Sequence, residues 1–446
     1  MQKDVLSVIS LFSGALGLDL GLEKAGFKVR VAVENDKHAA NTIRLNRPDI
    51  KLVERDIEKV KSKELLKITG LKVGEVTLVS GGPSCQTFST AGRRNSLSDP
   101  RGKLIHHFIR IVKETQPRFF VMENVRGLLS AARVHRPLRK RGHGFPVLDK
   151  REELGSAFAF ILRELKKTGY YIVFDVLNTA DFGTPQTRHR VVIIGSRDGE
   201  PIQIPNPTHS LQPIGNLEQW VTLKEALKGL EDKKPQFIPF SPKLKKYLKL
   251  IPEGGNWRDL PKRMQKGAMG KAYDSWGGRV GFFRRLNWDS PSPALTTHPV
   301  SKATLLCHPT KLRPLSVKEY SRIQQFPDSW EISGGISKQY TQVGNAVPVG
   351  LGYAIGKSIR KAIASKTSQV LNGIVCENKI LLERLSNRPR TMVNPARMRK
   401  VKSAKLTSEW INHRKNHKHP FLKYIQPRPL IHAEAKSKGQ KIKTHG

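Results

Sequence analysis

Cysteine is scarce, with Cys85, Cys307 and Cys376 the only three in 446 residues. Three scattered thiols cannot form a disulfide framework, and no paired Cys/His spacing supplies the ligands of a structural zinc. A reducing, cytoplasmic setting is expected, and no metal. Long apolar runs are also missing. No stretch of about 18 uncharged apolar residues occurs, which argues against a membrane-spanning helix. The start, Met1-Gln2-Lys3-Asp4, leads straight into a strand-like run without the apolar core of a signal peptide. Acidic residues are few: 37 Asp and Glu face 79 Lys and Arg, for a net charge of +42. Such an excess attracts a polyanion, and nucleic acid is the obvious one for a soluble protein. Segment 365–446 carries 19 Lys and Arg against 4 Asp and Glu, so 15 of the 42 excess charges lie there and 27 belong to the body.

Val5 to Phe12 reads as a buried strand ending at Ser13-Gly14, followed by a helix from about Gly17 to Lys24. Lys28–Val33 and Lys37–Leu45 repeat the strand–helix pair, and a short third strand precedes Asp56. Strands at 75–80 and 118–122 alternate with helices at 103–115 and 151–167, and 170–177 and 190–195 look like closing strands. Alternation of this kind predicts an α/β fold with a mostly parallel, doubly wound sheet covered on both faces. Residues 201–312, rich in Pro, Gly, Trp and basic side chains, read as a separate loop-rich module. Helical spacing resumes at Ser316, and Val347 to Ala362 forms a last helix with Gly and Ala on one face. The expected division is a catalytic domain over 1–200 and 313–364, a second domain over 201–312, and a basic extension over 365–446.

Two reactive groups stand at strand ends. Cys85 lies in Gly81-Gly82-Pro83-Ser84-Cys85-Gln86, near Arg93, Arg94 and Arg101, whose charge lowers a thiol's pKa. Glu123, in Glu123-Asn124-Val125, closes the next strand. Thiol and carboxylate side by side suit nucleophilic attack on a ring with proton delivery. The duller readings are an inert buried thiol and a salt-bridged carboxylate. Gly14, in Phe12-Ser13-Gly14-Ala15-Leu16-Gly17, lets a ligand approach a helix N-terminus, or simply makes a tight turn. Glu34 can accept from ribose hydroxyls and Asp56 from an exocyclic amine, unless either only caps a helix. Gln186-Thr187-Arg188-His189-Arg190 sets two arginines on one face of an extended segment, either solvated or aimed at an anion.

These blocks, with Asp99-Pro100-Arg101-Gly102-Lys103-Leu104, Arg313-Pro314-Leu315-Ser316 through Gln325-Phe326-Pro327-Asp328, and Gln342 through Pro348, follow one another in a recognisable order. From Ser10 to about Ile359 the chain resembles the cytosine-5 DNA methyltransferases of bacterial restriction–modification systems. Three positions depart from the family pattern: Leu16 replaces a second Gly of the cofactor turn, Ser84 a Pro, and Thr87 a Gly. The resemblance implies a Rossmann-like methyltransferase fold with its last strand antiparallel and its final block packed beside the first. It implies S-adenosylmethionine as methyl donor, held by Phe12, Gly14, Glu34, Asp56, Ile57, Pro83, Leu104 and Asn345. Cys85 would attack C6 of a flipped cytosine, and Glu123 would hold N3 and the exocyclic amine. Arg188 would bind the O2 side and Arg190 would steady Glu123. The loop from Gln86 to about Gly102 would close on DNA, with Ser89, Arg93 and Arg94 at phosphates, and residues 201–312 would read the target sequence. Thr296, in the segment closing that module, would touch the backbone near the flipped base. The expected partners are double-stranded DNA and a separately encoded restriction endonuclease, with the enzyme itself a monomer. An RNA (transfer RNA) cytosine-5 methyltransferase and an idle DNA-binding copy are the alternatives. The long 201–312 module favours DNA, and intact Cys85, Glu123 and Arg188 favour an enzyme.

Overall fold

β1 (Ser7–Leu11) alternates its side chains between two layers, Ile9 and Leu11 entering one core and Val8 the other, as the two-residue period of a strand requires. The computed structural model describes residues 5–83, 103–134, 149–274, 280–365, 370–376, 378, 381 and 420–426. β1 leads through α1 (Gly17–Lys24), β2 (Lys28–Glu34), α2 (Lys37–Asn46), β3 (Lys51–Glu54), α3 (Ser62–Thr69) and β4 (Leu78–Gly81). Next come α4 (Lys103–Thr115), β5 (Phe119–Val125), α5 (Ser156–Lys166), β6 (Tyr171–Asn178), β7 (Gln186–Thr187) and β8 (His189–Ser196). The sheet order is β3-β2-β1-β4-β5-β8-β6, with a further edge strand, β12 (Ile374–Cys376), beside β6. All neighbouring pairs are parallel except those of β8, which runs antiparallel to β5 and β6. The expected doubly wound α/β sheet is present. The antiparallel strand is not the last, because β12 follows it.

Helix α4 shows why the layers close. Ile105, Phe108, Ile109 and Val112 fall on one stripe at helical spacing and are all buried with α3 and α5 on one face of the sheet. On the opposite face, α1 and α2 pack with α11 (Val349–Ile363). The α1–α11 seam is made of glycines. A Cβ on Gly21 would lie 2.3 Å from the Val349 carbonyl oxygen, and one on Gly352 would lie 2.6 Å from that of Leu18. Only bare backbone permits so close a crossing, and it seats the end of the chain beside its beginning.

Between the two parts of this body, the chain forms the ribbon strands β9 (His209–Ser210) and β10 (Glu218–Gln219). It continues through short helices α6 (Leu223–Leu227), α7 (Pro242–Leu248) and α8 (Lys262–Met269), then β11 (Ser292–Pro293). A separate apolar core of Phe240, Leu248, Trp257, Leu260, Met269, Phe283 and Leu305 holds this loop-rich module. It is tied to the main body by β11, which pairs with β7, and by α9 (Val317–Ile323) and α10 (Ile336–Asn345). Part of the basic extension is not peripheral. β12 adds to the sheet, and Phe421 is fully buried edge-on against Phe158 of α5.

Candidate active site

The C-terminal ends of β1, β2, β4 and β5 converge on one edge of the sheet, where open α/β folds bind ligands. Strand order reverses between β1 and β4, and the turn after β1 lines that crevice. Gly14 has φ +52°, and nothing lies within 4 Å of where a side chain would begin. Its N–H donates to Glu34 Oε2 at 2.8 Å, while Glu34 Oε1 accepts from the N–H groups of Asn35 and Asp36, both at 2.9 Å. Burial raises the Glu34 pKa, and these three amides oppose the rise. The carboxylate is therefore fixed at the strand end beside open space. Leu16 adopts the left-handed conformation, φ +66°, and its side chain is fully buried. That explains why glycine suits this position and why leucine is tolerated: the backbone cost, about 1–2 kcal/mol, is offset by burial of roughly 2 kcal/mol.

Asp56 does cap a turn, since its Oδ1 accepts from the Glu58 N–H at 2.9 Å. The second carboxylate oxygen has no protein partner among the described residues and remains able to accept. Next to it Ile57 is buried, its carbonyl held by Arg110 of α4 at 3.0 Å. Phe12 (φ +55°) and Leu104 are partly buried along the same crevice side of the core.

The second half of the site follows β4 and β5. A Cβ on Gly81 would meet the Leu11 carbonyl oxygen at 2.6 Å, and one on Gly82 would stand 3.0 Å from Glu123 Oε2. The Gly81-Gly82 pair thus lets the chain leading to Cys85 pass against the Glu123 carboxylate. Asn124 Nδ2 donates to the Pro83 carbonyl at 3.0 Å and pins that chain to the end of β5. Glu123 is 8% exposed, and Arg190 Nε lies 2.5 Å from its Oε1. The register explains this pairing. Glu123 stands opposite Val192, so Arg190, two residues along on the same face, is its diagonal neighbour.

Arg188 behaves differently. It is 3% exposed, and its guanidinium donates to the carbonyls of Leu295 at 3.1 Å and Gly344 at 2.8 Å. Arg188 thus ties the segment after β11 to α10, whereas Arg190 is the arginine set against Glu123. Asn345 is exposed at the end of α10. Thr296 donates to the His298 carbonyl at 3.2 Å, and its own carbonyl packs where a Gly344 side chain would stand. Cys85, Gln86, Ser89, Arg93 and Arg94 lie outside the described residues. The other two thiols are unsuited to nucleophilic work. Both are buried, and burial pushes Cys307 up to about 11.

This geometry meets independent support in comparisons with known proteins. Residues 6–361 match the family model of the C-5 cytosine-specific DNA methylases. The chain belongs to that family. It is 40% identical over 355 residues to the Type II methyltransferase M.Sau96I of Staphylococcus aureus, covering 79% of this chain and 75% of that protein. To the Type II methyltransferase M.Eco47II of Escherichia coli it is 38% identical over 370 residues, 80% of each chain. The structure of Spodoptera frugiperda DNMT2 superposes with a TM-score of 0.53 at 16% identity, covering 79% of this chain and 99% of that one. That likeness speaks for the fold. The protein is accordingly an S-adenosylmethionine-dependent DNA cytosine-5 methyltransferase of the Type II restriction–modification kind. Among the described residues no helix is long and apolar enough to cross a membrane, and no group of three or more His, Cys, Asp or Glu could hold a metal ion.

Some working residues of this methylase escaped the sequence reading. Asn124 is one. Gln186 and Gln324 are others: fully buried, they bond side chain to side chain at 2.9 Å. Gln186 also accepts from the Leu295 N–H at 2.9 Å, and Gln324 donates to the Val343 carbonyl at 2.6 Å. Together they lock β7, the end of the loop-rich module and α10 around Arg188. The only sequence signal was their placement inside or beside the quoted motifs.

Proposed function

We propose that this enzyme flips one cytosine out of a specific duplex sequence and methylates it through a covalent adduct with Cys85. The observation that carries the reading is the Glu123–Arg190 pair set against Gly82 and Pro83, one strand from the Gly14–Glu34 cradle. Cys85 is two residues from the anchored Pro83, at most about 7.6 Å between Cα atoms. The target base is unreachable inside a duplex, so it must leave the stack, at a cost of a few kcal/mol.

Cytosine C5 is a poor nucleophile. Bond formation between the Cys85 thiolate and C6 pushes the C5–C6 π pair through C4 to N3, which takes a proton from the protonated Glu123 carboxyl so that charge does not accumulate. Arg190 orients the Glu123 carboxyl and presents its remaining N–H groups to the O2 side. C5, now nucleophilic, takes the methyl group. The C5 proton then leaves to water, the C5–C6 double bond re-forms, the Cys85 thiolate departs and N3 returns its proton to Glu123. Glu34, fixed by three amides, receives ribose hydroxyls, the free oxygen of Asp56 receives an amine, and Pro83, Leu104, Phe12, Ile57 and Asn345 complete the cradle. S-adenosylmethionine bound there supplies the electrophilic methyl group.

Residues 201–312 read the target from the major groove, and Thr296 meets the DNA backbone near the flipped base. Gln86, Ser89, Arg93 and Arg94 close on the DNA. The enzyme works as a monomer on one strand at a time and shields DNA from a separately encoded endonuclease. The test is methyl transfer to unmethylated duplex DNA, read by bisulfite sequencing, with Cys85→Ser and a transfer RNA substrate in parallel. Methylation of one short DNA motif, lost in Cys85→Ser, is the expected result. Activity on transfer RNA alone would overturn it.

A further inference from the structure

Three guanidinium groups in and beside the 201–312 module are disposed in contrasting ways. Arg285 is 7% exposed and donates to the Ile251 and Leu248 carbonyls, both at 2.7 Å. Arg313 makes a two-pronged pair with Glu319, both contacts at 2.7 Å. These two are structural. Arg284, next to Arg285, makes one side-chain bond among the described residues, from Nε to the Val280 carbonyl of its own turn at 3.2 Å. No carboxylate faces it among the described residues, and its partial burial lowers its pKa. A half-buried guanidinium without an anion is costly to the free protein, so it implies an acceptor brought by something else.

Arg284 lines a cleft with Gly254, Asn256, Asn287 and Ser292. At about 260 Å³ the cleft falls below the roughly 300–1,000 Å³ of small-molecule pockets, so it suits the edge of a polymer. The Asn oxygens serve their own turns: Asn256 Oδ1 accepts from the Arg258 N–H at 3.1 Å and Asn287 Oδ1 from the Asp289 N–H at 2.8 Å. The planar fork of the Arg284 guanidinium matches guanine, which offers O6 and N7 as a pair of acceptors in the major groove, whereas cytosine and adenine each present a donor there. Position agrees. Ser292 belongs to β11, which pairs with β7, and its N–H donates to the Pro185 carbonyl at 2.9 Å, so the cleft adjoins the main body.

We propose that Arg284 is a specificity-determining residue that donates to O6 and N7 of a guanine in the methylated sequence. The inference rests on the DNA-methylating function proposed above. The test uses the full chain and a set of duplexes carrying the motif that the wild type methylates, with every single-base-pair substitution. Relative kcat/KM values within one preparation are independent of its folded fraction. The wild type should reject substitution of one G·C pair by about 10–100-fold. Arg284→Ala should bring that one rejection to within about threefold and leave the other positions unchanged, and Arg284→Lys should do the same because an ammonium cannot reproduce the fork. Equal loss on every duplex with a smaller salt dependence marks a phosphate contact and overturns the proposal, as does an unchanged profile. A wild type that methylates no duplex overturns the proposed function itself, a distinct result.

Discussion

Arg188 and Arg190 sit two residues apart, yet one guanidinium is buried against backbone carbonyls and the other faces the Glu123 carboxylate. Arg188 joins segments 107 and 156 residues away. Its replacement by Ala should lower stability by about 3 kcal/mol or more, since hydrogen bonds to charged groups contribute roughly 1.5–3 kcal/mol each, and denaturant titration measures this. Arg190→Ala should cut kcat by about a hundredfold, the scale set by a misplaced catalytic group, over and above the stability lost by unpairing the buried Glu123. Undiminished kcat in folded Arg190→Ala enzyme would contradict the assignment. That both arginines matter was legible in the motif. The contact of Arg190 with Glu123 was foreseen through the family resemblance; the bonds of Arg188 to carbonyls distant in the chain were not. Asp19 gives a pH-dependent case. It is buried in α1, and its pKa is pushed up to about 7, chiefly by burial, with Ser10 opposing. A folded value above the unfolded one means that its stability term is full below about pH 4 and lost as pH rises through about 7. Asp19→Asn should therefore gain on the wild type between those limits, by on the order of a few kcal/mol, and keep a constant lead above them. Melting temperatures of the two proteins across that range decide it.

The elements that form the site are held by close backbone contact. On α1, Gly17 faces the Val347 carbonyl just before α11 and Gly21 faces α11 itself, where Gly352 faces back. A methyl at Gly21 would meet the Val349 carbonyl oxygen at 2.3 Å and the Tyr353 nitrogen at 2.5 Å. Gly21→Ala should force the helices apart at a cost of about 1–3 kcal/mol. The movement should also raise KM for S-adenosylmethionine, because α1 begins at the cofactor turn. Thermal unfolding and initial-rate kinetics report the two effects. The helices themselves were legible from apolar spacing, as were β1, β2, β5, β6 and β8, whose runs of Val, Ile and Phe are long. β12 was not, for its three residues lie in a polar, basic stretch and gain strand geometry only by pairing with β6. The helix pair α1–α11 was foreseen only through family resemblance, since a small-residue face does not name its partner.

For the whole molecule, the basic extension has a structural share as well as a charge. β12 covers the β6 edge, and Phe421 fills a gap beside Phe158. A chain ending at residue 365 should expose the β6 edge and aggregate more readily on warming, which light scattering would follow. The excess of +42 should make DNA binding strongly salt-dependent. Covalent catalysis by Cys85 is tested most directly by a duplex with 5-fluorocytosine at the methylated position. Fluorine cannot leave C5 as a proton does, so the thioether should persist. The expected result, with S-adenosylmethionine present, is a denaturant-stable enzyme–DNA adduct that maps by mass spectrometry to Cys85 and is absent from Cys85→Ser. Normal methylation of cytosine without any trapped adduct, or an adduct on another residue, would contradict it.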